Sequence, residues 1–213
     1  MLVLGDAHAD DPDNRRALFA AYRASDADVA LQLGDLMYYD LPKPTWFVAG
    51  NNEDFDTIAA LRNGLVSNSE VRNANLLAST AVDVDGVRVA GLSGNYAPTQ
   101  YDRPRANLVA ERRRHFTRED VERAMALQSV DVLLTHEAPH GLPVAEDYDV
   151  GCSHVDDLLS VLDPELCLVG HHHQHAEATL ENTRVVSLAP TWERYYTLDP
   201  DSLSLTWFET PDG

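Results

Sequence analysis

Short apolar runs that hand over at once to metal-competent polar side chains constrain this chain more than any other feature. Met1–Leu4 runs into Gly5-Asp6-Ala7-His8, Val29–Leu33 into Gly34-Asp35, and Thr45–Ala49 into Gly50-Asn51-Asn52-Glu53-Asp54. Val130–Thr135 leads straight to His136, and Leu166–Val169 to Gly170-His171-His172-His173-Gln174-His175. Runs this short, bounded by turn residues, read as strands buried on both faces. Open α/β sheets collect their ligands beyond the carboxyl ends of such strands. A lone histidine more often faces solvent. Four imidazoles within residues 171–175, two of them in Gly-His-x-His, point instead to chemistry, because neutral imidazole is the commonest protein metal ligand.

The intervening segments supply helices. Asp13–Tyr22 is amphipathic with Pro12 placed for a first turn, and a second helix is predicted from about Asp54 to Arg62. Ala81–Asp85 and Val87–Leu92 flank Asp85-Gly86, a hairpin-turn pair. Thr117 with Asp120, and Ser153 with Asp156, have the spacing of helix caps. Ala176–Leu180, Arg184–Leu188, Arg194–Leu198 and Leu203–Phe208 alternate like a β-meander. With no internal repeat or low-complexity linker, one domain over residues 1–213 is expected, in the size range that buries a core without disulfides. Cys152 and Cys167 form no CxxC pattern, and Cys167 reads as a small hydrophobe. No apolar run approaches the roughly 18 residues of a membrane span, and Met1–Leu4 does not open a secretory leader. A cytoplasmic protein with no membrane association and no obligate protein partner is expected.

Charge bears on habitat and partners. There are 16 basic residues against 35 acidic, a net −19, and Lys43 is the single lysine. Such a surface resembles the proteins of salt-loving archaea and opposes general nucleic-acid binding, which wants the other sign. One segment departs from it. An insertion at about 96–118 carries Arg103, Arg105, Arg112, Arg113, Arg114 and Arg118. Charge runs are usually solvated faces, yet guanidinium groups bind phosphate bidentately. Arg103, Arg105 and Arg112 are therefore candidate contacts to an anionic substrate, with Tyr96 and Tyr101 able to stack on a base.

The strand-end residues Asp6, His8, Asp35, Asn51, His136, His171 and His173 are oxygen and nitrogen donors without a thiolate among them, a set suited to divalent first-row metals. Seven donors exceed one tetrahedral site and suit two ions. The ordered motifs Asp6-x-His8, Gly34-Asp35, Gly50-Asn51-x-Glu53, His136 and Gly170-His171-x-His173 resemble the calcineurin-like metallophosphoesterase family. That resemblance implies an α/β fold, a four-layer α/β/β/α sandwich, with a dinuclear centre at its strand ends. It assigns Asp6, His8, Asp35 and His173 to one ion and Asp35, Asn51, His136 and His171 to the other, with Asp35 bridging. It implies hydrolysis of a phosphoester by metal-activated hydroxide, with two divalent ions, manganese first and iron, zinc, nickel or cobalt also suited to these donors. Met1–Leu4 is shorter than the family's usual first strand, so the start lies late or the strand is truncated.

One departure bears on specificity. Where the family commonly has a histidine thought to protonate the leaving group, this chain has Asn52, and a carboxamide is no general acid. Members without that histidine favour phosphodiesters, so a phosphodiesterase is expected, unless His140 or His172 donates the proton. Asn52 could still hydrogen-bond a phosphoryl oxygen. Ala90–Tyr96, the arginine-rich insertion and Leu134–Gly141 resemble RNA lariat debranching enzymes, making a nucleotide or RNA a candidate substrate. The alternatives are a phosphomonoesterase or phosphoprotein phosphatase, and a metal-binding interaction module without catalysis. Phosphoprotein phosphatases normally carry arginine in their second motif, where Leu36-Met37 follows Asp35 here.

Overall fold

The computed structural model describes residues 1–65 and 71–212. The first sheet is built on four parallel strands, β1 (Leu2–Leu4), β2 (Ala30–Gln32), β3 (Asp40–Phe47) and β4 (Arg72–Leu76). β11 (Arg194–Leu198) and β12 (Leu205–Glu209) join it antiparallel, giving the order β12-β11-β1-β2-β3-β4. The second sheet has the order β5-β6-β7-β8-β10-β9. Its parallel centre is β6 (Val87–Leu92), β7 (Val132–Thr135), β8 (Leu166–Val169) and β10 (Thr183–Ser187). β5 (Thr80–Val84) and β9 (Ala176–Leu180) form its antiparallel edges.

Strand periodicity explains the layering. Side chains two apart share a face, so a strand apolar throughout must be covered on both sides. Val3, Leu31, Val132, Leu134, Leu166 and Leu168 point inward and form one core between the sheets. Leu2, Leu4, Ala30 and Phe47 point the other way, against Leu18, Ala21 and Tyr22 of α1 (Pro12–Ala24) and Ile58 of α2 (Phe55–Arg62). Leu133, Cys167 and Val169 share a core with Tyr101 of α3 (Pro98–Tyr101), Val121 and Ala124 of α4 (Arg118–Met125) and Val155, Leu158 and Leu159 of α5 (Ser153–Leu162). The result is the expected α/β/β/α sandwich. Cys167 is fully buried within it, as a small hydrophobe.

Local chemistry sets the element ends. The Asp11 carboxylate accepts the Asp13 and Asn14 N–H groups ahead of Pro12, which opens α1. Asp54 does the same for α2. Asp85 and Gly86 both take positive φ (52° and 84°), which a two-residue hairpin turn requires. The Asp120 carboxylate accepts from Thr117 N–H and Oγ1–H at 2.9 Å each, capping α4 as its spacing predicts.

Two expectations are corrected, and one strand had not been foreseen. Cys152, not Ser153, is the N-cap of α5, and Asp156 turns away to His140 instead of capping. The C-terminal strands are no single meander. β9 and β10 pair in the second sheet while β11 and β12 extend the first, because the chain crosses between sheets through Pro190–Glu193. β4 was hidden by its polar composition, Arg-Asn-Ala-Asn-Leu, and only Ala74 in it is buried.

Candidate metal centre

The carboxyl ends of β1, β2, β3, β7 and β8 converge, and the loops that follow them deliver the polar residues to one place. Sequence-distant hydrogen bonds lock these loops together. His8 N–H donates to the Asp35 carbonyl at 2.7 Å, and Gly170 N–H to the Thr135 carbonyl at 3.2 Å. Buried Gln32 lies under two of the glycine turns, donating from Nε2 to the Gly5 and Gly34 carbonyls and accepting Gly34 N–H. The glycines are required by close approach. A Cβ on Gly50 would overlap Asp35 and His136, and one on Gly170 would overlap Leu33 O and press on Asp6.

Asp6, His8 and His173 form one candidate ligand group, and Asp6, Asp35 and His136 another, the donor atoms of each lying within 4.8 Å of one another. His173 Nε2 lies 2.9 Å from Asp6 Oδ2, His8 Nε2 3.4 Å from His173 Nε2, and His8 Nε2 3.5 Å from Asp35 Oδ2. Donors bound about 2.1 Å from a single ion stand about 3.0–3.4 Å apart, so these spacings match the edges of a coordination shell. Asp6 is common to the two groups, and Asp35 reaches a member of each: Oδ2 lies 3.5 Å from His8 Nε2 and Oδ1 3.5 Å from His136 Nε2. Asn51 Oδ1 lies 3.0 Å from His136 Nε2, and the His171 ring centroid 4.9 Å from that of His136. All seven donors are thus brought together. The His136 Nδ1 donates to Leu33 O at 2.8 Å, which leaves Nε2 free to ligate, the usual second contact of a metal-binding imidazole.

Electrostatics fit a cation. Asp6 and Asp35 are each 2% exposed. Burial opposes the Asp6 charge, but the His136 imidazole and the His173 and His171 contacts outweigh it and lower the pKa. Burial likewise disfavours charge on His136, yet Asp6 and Asp35 prevail and raise its pKa. The bond to Asp6 raises that of His173. The site is preformed for positive charge. Its backbone is strained for the purpose: His8, Asp35, His171 and His173 all sit at positive φ, between 42° and 73°. Each costs about 1 kcal/mol or more outside glycine, and such strain clusters at functional sites.

Glu53 organises the loops from behind. Its buried carboxylate accepts the Leu36, Met37 and Gly50 N–H groups at 3.2 Å each and the Tyr39 hydroxyl at 2.5 Å. Burial raises its pKa to about 7 despite these donors. Trp192, beyond the last motif, packs its ring 5.3 Å from His173 and 5.9 Å from His8. A glutamine inside the apolar run Val29–Leu33 was the available signal for Gln32, and no sequence pattern marks Trp192.

The remaining predicted residues are placed differently. Asn52 is turned inward, its N–H and Nδ2 each donating to Asp35 at 2.7 Å, so its amide holds that carboxylate. His172 is pushed down to about 4 by burial and by His171 and His136, and is therefore neutral near pH 7 and no proton donor there. His140 binds Asp156 at 2.6 Å on a separate groove with Leu159 and Thr179, away from the seven donors. Arg105 forks onto buried Asp120, and Arg103 donates to the Thr99 carbonyl. Tyr96 packs with Tyr101, Phe116 and His154. Arg112 alone of the three arginines lines a pocket with Asn51 and His171.

Comparison with known proteins agrees with this geometry. No curated protein sequence matches the chain. Among solved structures, TT1561 of Thermus thermophilus is similar at a TM-score of 0.69 and 18% identity, covering 99% of both chains. GAP50, the anchor in the inner membrane complex of Plasmodium, is similar at 0.52 and 12%, over 100% of this chain and 78% of its own. The hypothetical protein PH1004 from Pyrococcus horikoshii OT3 is similar at 0.50 and 11%, over 100% and 88%. These likenesses are of fold. The description that matches residues 1–175 is calcineurin-like phosphoesterase, a span that takes in every one of the seven donors, and the chain belongs to that family.

Proposed function

We propose that this protein is a phosphodiesterase using two divalent ions held by Asp6, His8, Asp35 and His173 on one side and Asp35, Asn51, His136 and His171 on the other. The convergence of these donors, with ligand-like spacings between Asp6, His8, Asp35 and His173, carries the reading. When bound, the ions supply a nucleophile from water near neutral pH and offset charge on the phosphoryl oxygens. Manganese fits an oxygen and nitrogen donor set that lacks thiolate, as do iron, zinc, nickel and cobalt.

The protein's own residues favour diesters. Asn52 holds Asp35 and offers no proton, neutral His172 is no acid near pH 7, and His140 faces another groove. A poor alkoxide leaving group therefore departs without a positioned acid, a loss of about 10²-fold or more. A diester also brings one negative charge, where a monoester brings about two near pH 7. The reading extends to a nucleotide or RNA diester hydrolysed in the cytoplasm of a salt-adapted cell. An anchoring role without catalysis is disfavoured because every donor position is filled.

A manganese-supplemented panel of bis(4-nitrophenyl) phosphate, 4-nitrophenyl phosphate, a phosphoserine peptide and a short RNA tests this. The aryl diester is expected to be cleaved at least about 10²-fold faster than phosphoserine. Equal rates on the two would overturn the assignment.

A further inference from the structure

The insertion's arginines are mostly committed to internal partners. Arg105 binds Asp120, Arg113 binds Asp56, Arg114 binds Glu111 and Arg118 binds Asp102, while Arg103 donates to a backbone carbonyl. Among the described residues, Arg112 has no carboxylate within ion-pair distance, although the chain carries 35 acidic residues. It lies in a short 3₁₀ turn, Ala110–Arg114, and lines a pocket of about 330 Å³ together with Asn51 and His171 of the candidate metal centre. Asn95 and His115 also line it. Asn95 Oδ1 and His115 Nδ1 are inaccessible to solvent and have no hydrogen-bond partner among the described residues. Buried polar atoms are nearly always satisfied, and each orphan needs an explanation. The Asn95 amide oxygen is an acceptor and calls for a donor such as a sugar hydroxyl, while the unpaired guanidinium, in a pocket lined by two of the candidate metal donors, calls for an anion.

We propose that this pocket is a subsite for a second anionic group, of the phosphate kind, borne on the ester arm of the substrate that is not split off. Arg112 presents its fork to that group, and Asn95 and His115 take the polar atoms beside it. The Glu111–Arg114 pair at the pocket wall is internally neutral, so the positive charge available to a ligand is that of Arg112. The inference rests on the phosphodiesterase reading for the reacting phosphate and goes beyond it in naming the arm: a phosphorylated sugar or nucleotide in preference to a bare aryl or alkyl group. No step of bond cleavage is assigned to the subsite. Its residues bind and orient.

The test compares thymidine 5′-(4-nitrophenyl phosphate) with the same compound carrying a 3′-phosphate, on the manganese-loaded wild type, R112Q and R112K. In parallel, calorimetry compares binding of thymidine 5′-phosphate and thymidine 3′,5′-bisphosphate to each. The wild type is expected to prefer the member of each pair that carries the 3′-phosphate by about tenfold or more, the contribution of one charge-assisted hydrogen bond. The preference should appear in KM and Kd, collapse toward unity in R112Q, and survive in part in R112K, which keeps the charge and loses the fork. Arg112 is exposed, so its replacement leaves the core untouched. A wild type without the preference, or a preference that survives in R112Q, overturns the proposal. If neither diester is cleaved but the bisphosphate binds tenfold tighter and loses that margin in R112Q, the subsite stands and the phosphodiesterase reading falls. If both are cleaved alike by all three proteins, the reverse holds.

Discussion

Replacing Asp35 with asparagine should leave the metal-free protein nearly as stable as the wild type and abolish its stabilisation by metal. Asp35 sits at φ 51°, a conformation that asparagine tolerates better than most residues, so the backbone is not penalised. Its carboxylate accepts from Asn52 N–H and Nδ2. An asparagine can accept only one of these well, a loss of about 1.5–3 kcal/mol. Against that, the Asp35 and Asp6 donor atoms lie within 4.8 Å of each other in a buried group. Two such charges about 5 Å apart repel by about 3 kcal/mol at an effective dielectric constant near 20. Asp35 also attracts His136 when that imidazole is protonated, so the two effects nearly cancel at alkaline pH, where the D35N protein in EDTA should melt within about 4 °C of the wild type. A metal at a hundred times its dissociation constant stabilises the wild type by about 2.7 kcal/mol, which for a chain of this size is about 5–11 °C. D35N should gain almost nothing. Thermal melts in EDTA and in a manganese series measure both quantities. An equal metal-induced shift in wild type and D35N would refute the assignment of Asp35 as the shared ligand.

Three further outcomes follow from the same structure. Asp120 is 1% exposed at its side chain and holds Arg62, Arg105 and Thr117, so D120N should destabilise by about 3–5 kcal/mol in urea unfolding, and a loss under 1 kcal/mol would show the cluster to be incidental. Burial raises the Glu53 carboxyl from an ordinary 4.5 to about 7. The folded state therefore binds the extra proton between those values, and stability falls as pH rises from 4.5 to 7 and is flat on either side. E53Q should lack this slope in EDTA, and identical pH profiles for both proteins would exclude it. With a net charge of −19, the melting temperature should rise between 0.05 and about 1 M sodium chloride as self-repulsion is screened, and a flat or falling curve would count against repulsion as a factor.

The fold and the convergence of the seven candidate donors were legible because they depend on local patterns: apolar strands that end where a polar side chain follows, and glycines where a neighbour leaves no room for a Cβ. The partners of those donors were not. Gln32, Glu53 and Leu33 act through loops more than fifteen residues away in several cases, and a backbone carbonyl such as that of Leu33 has no sequence signature at all. The arginine-rich insertion shows the limit most clearly. By composition its six guanidinium groups are equivalent, yet packing removes four into ion pairs and a fifth onto a carbonyl, leaving Arg112 beside the metal donors. Asn52 carries the converse lesson. The absence of an imidazole there was visible from the chain alone, but the inward turn of its amide onto Asp35 was not. That turn couples position 52 to the candidate metal centre: a histidine there would bring a proton donor only by giving up the contact that holds the Asp35 carboxylate. The N52H protein should therefore bind metal more weakly even if its activity on monoesters rises, and calorimetric manganese titration of the variant separates the two effects.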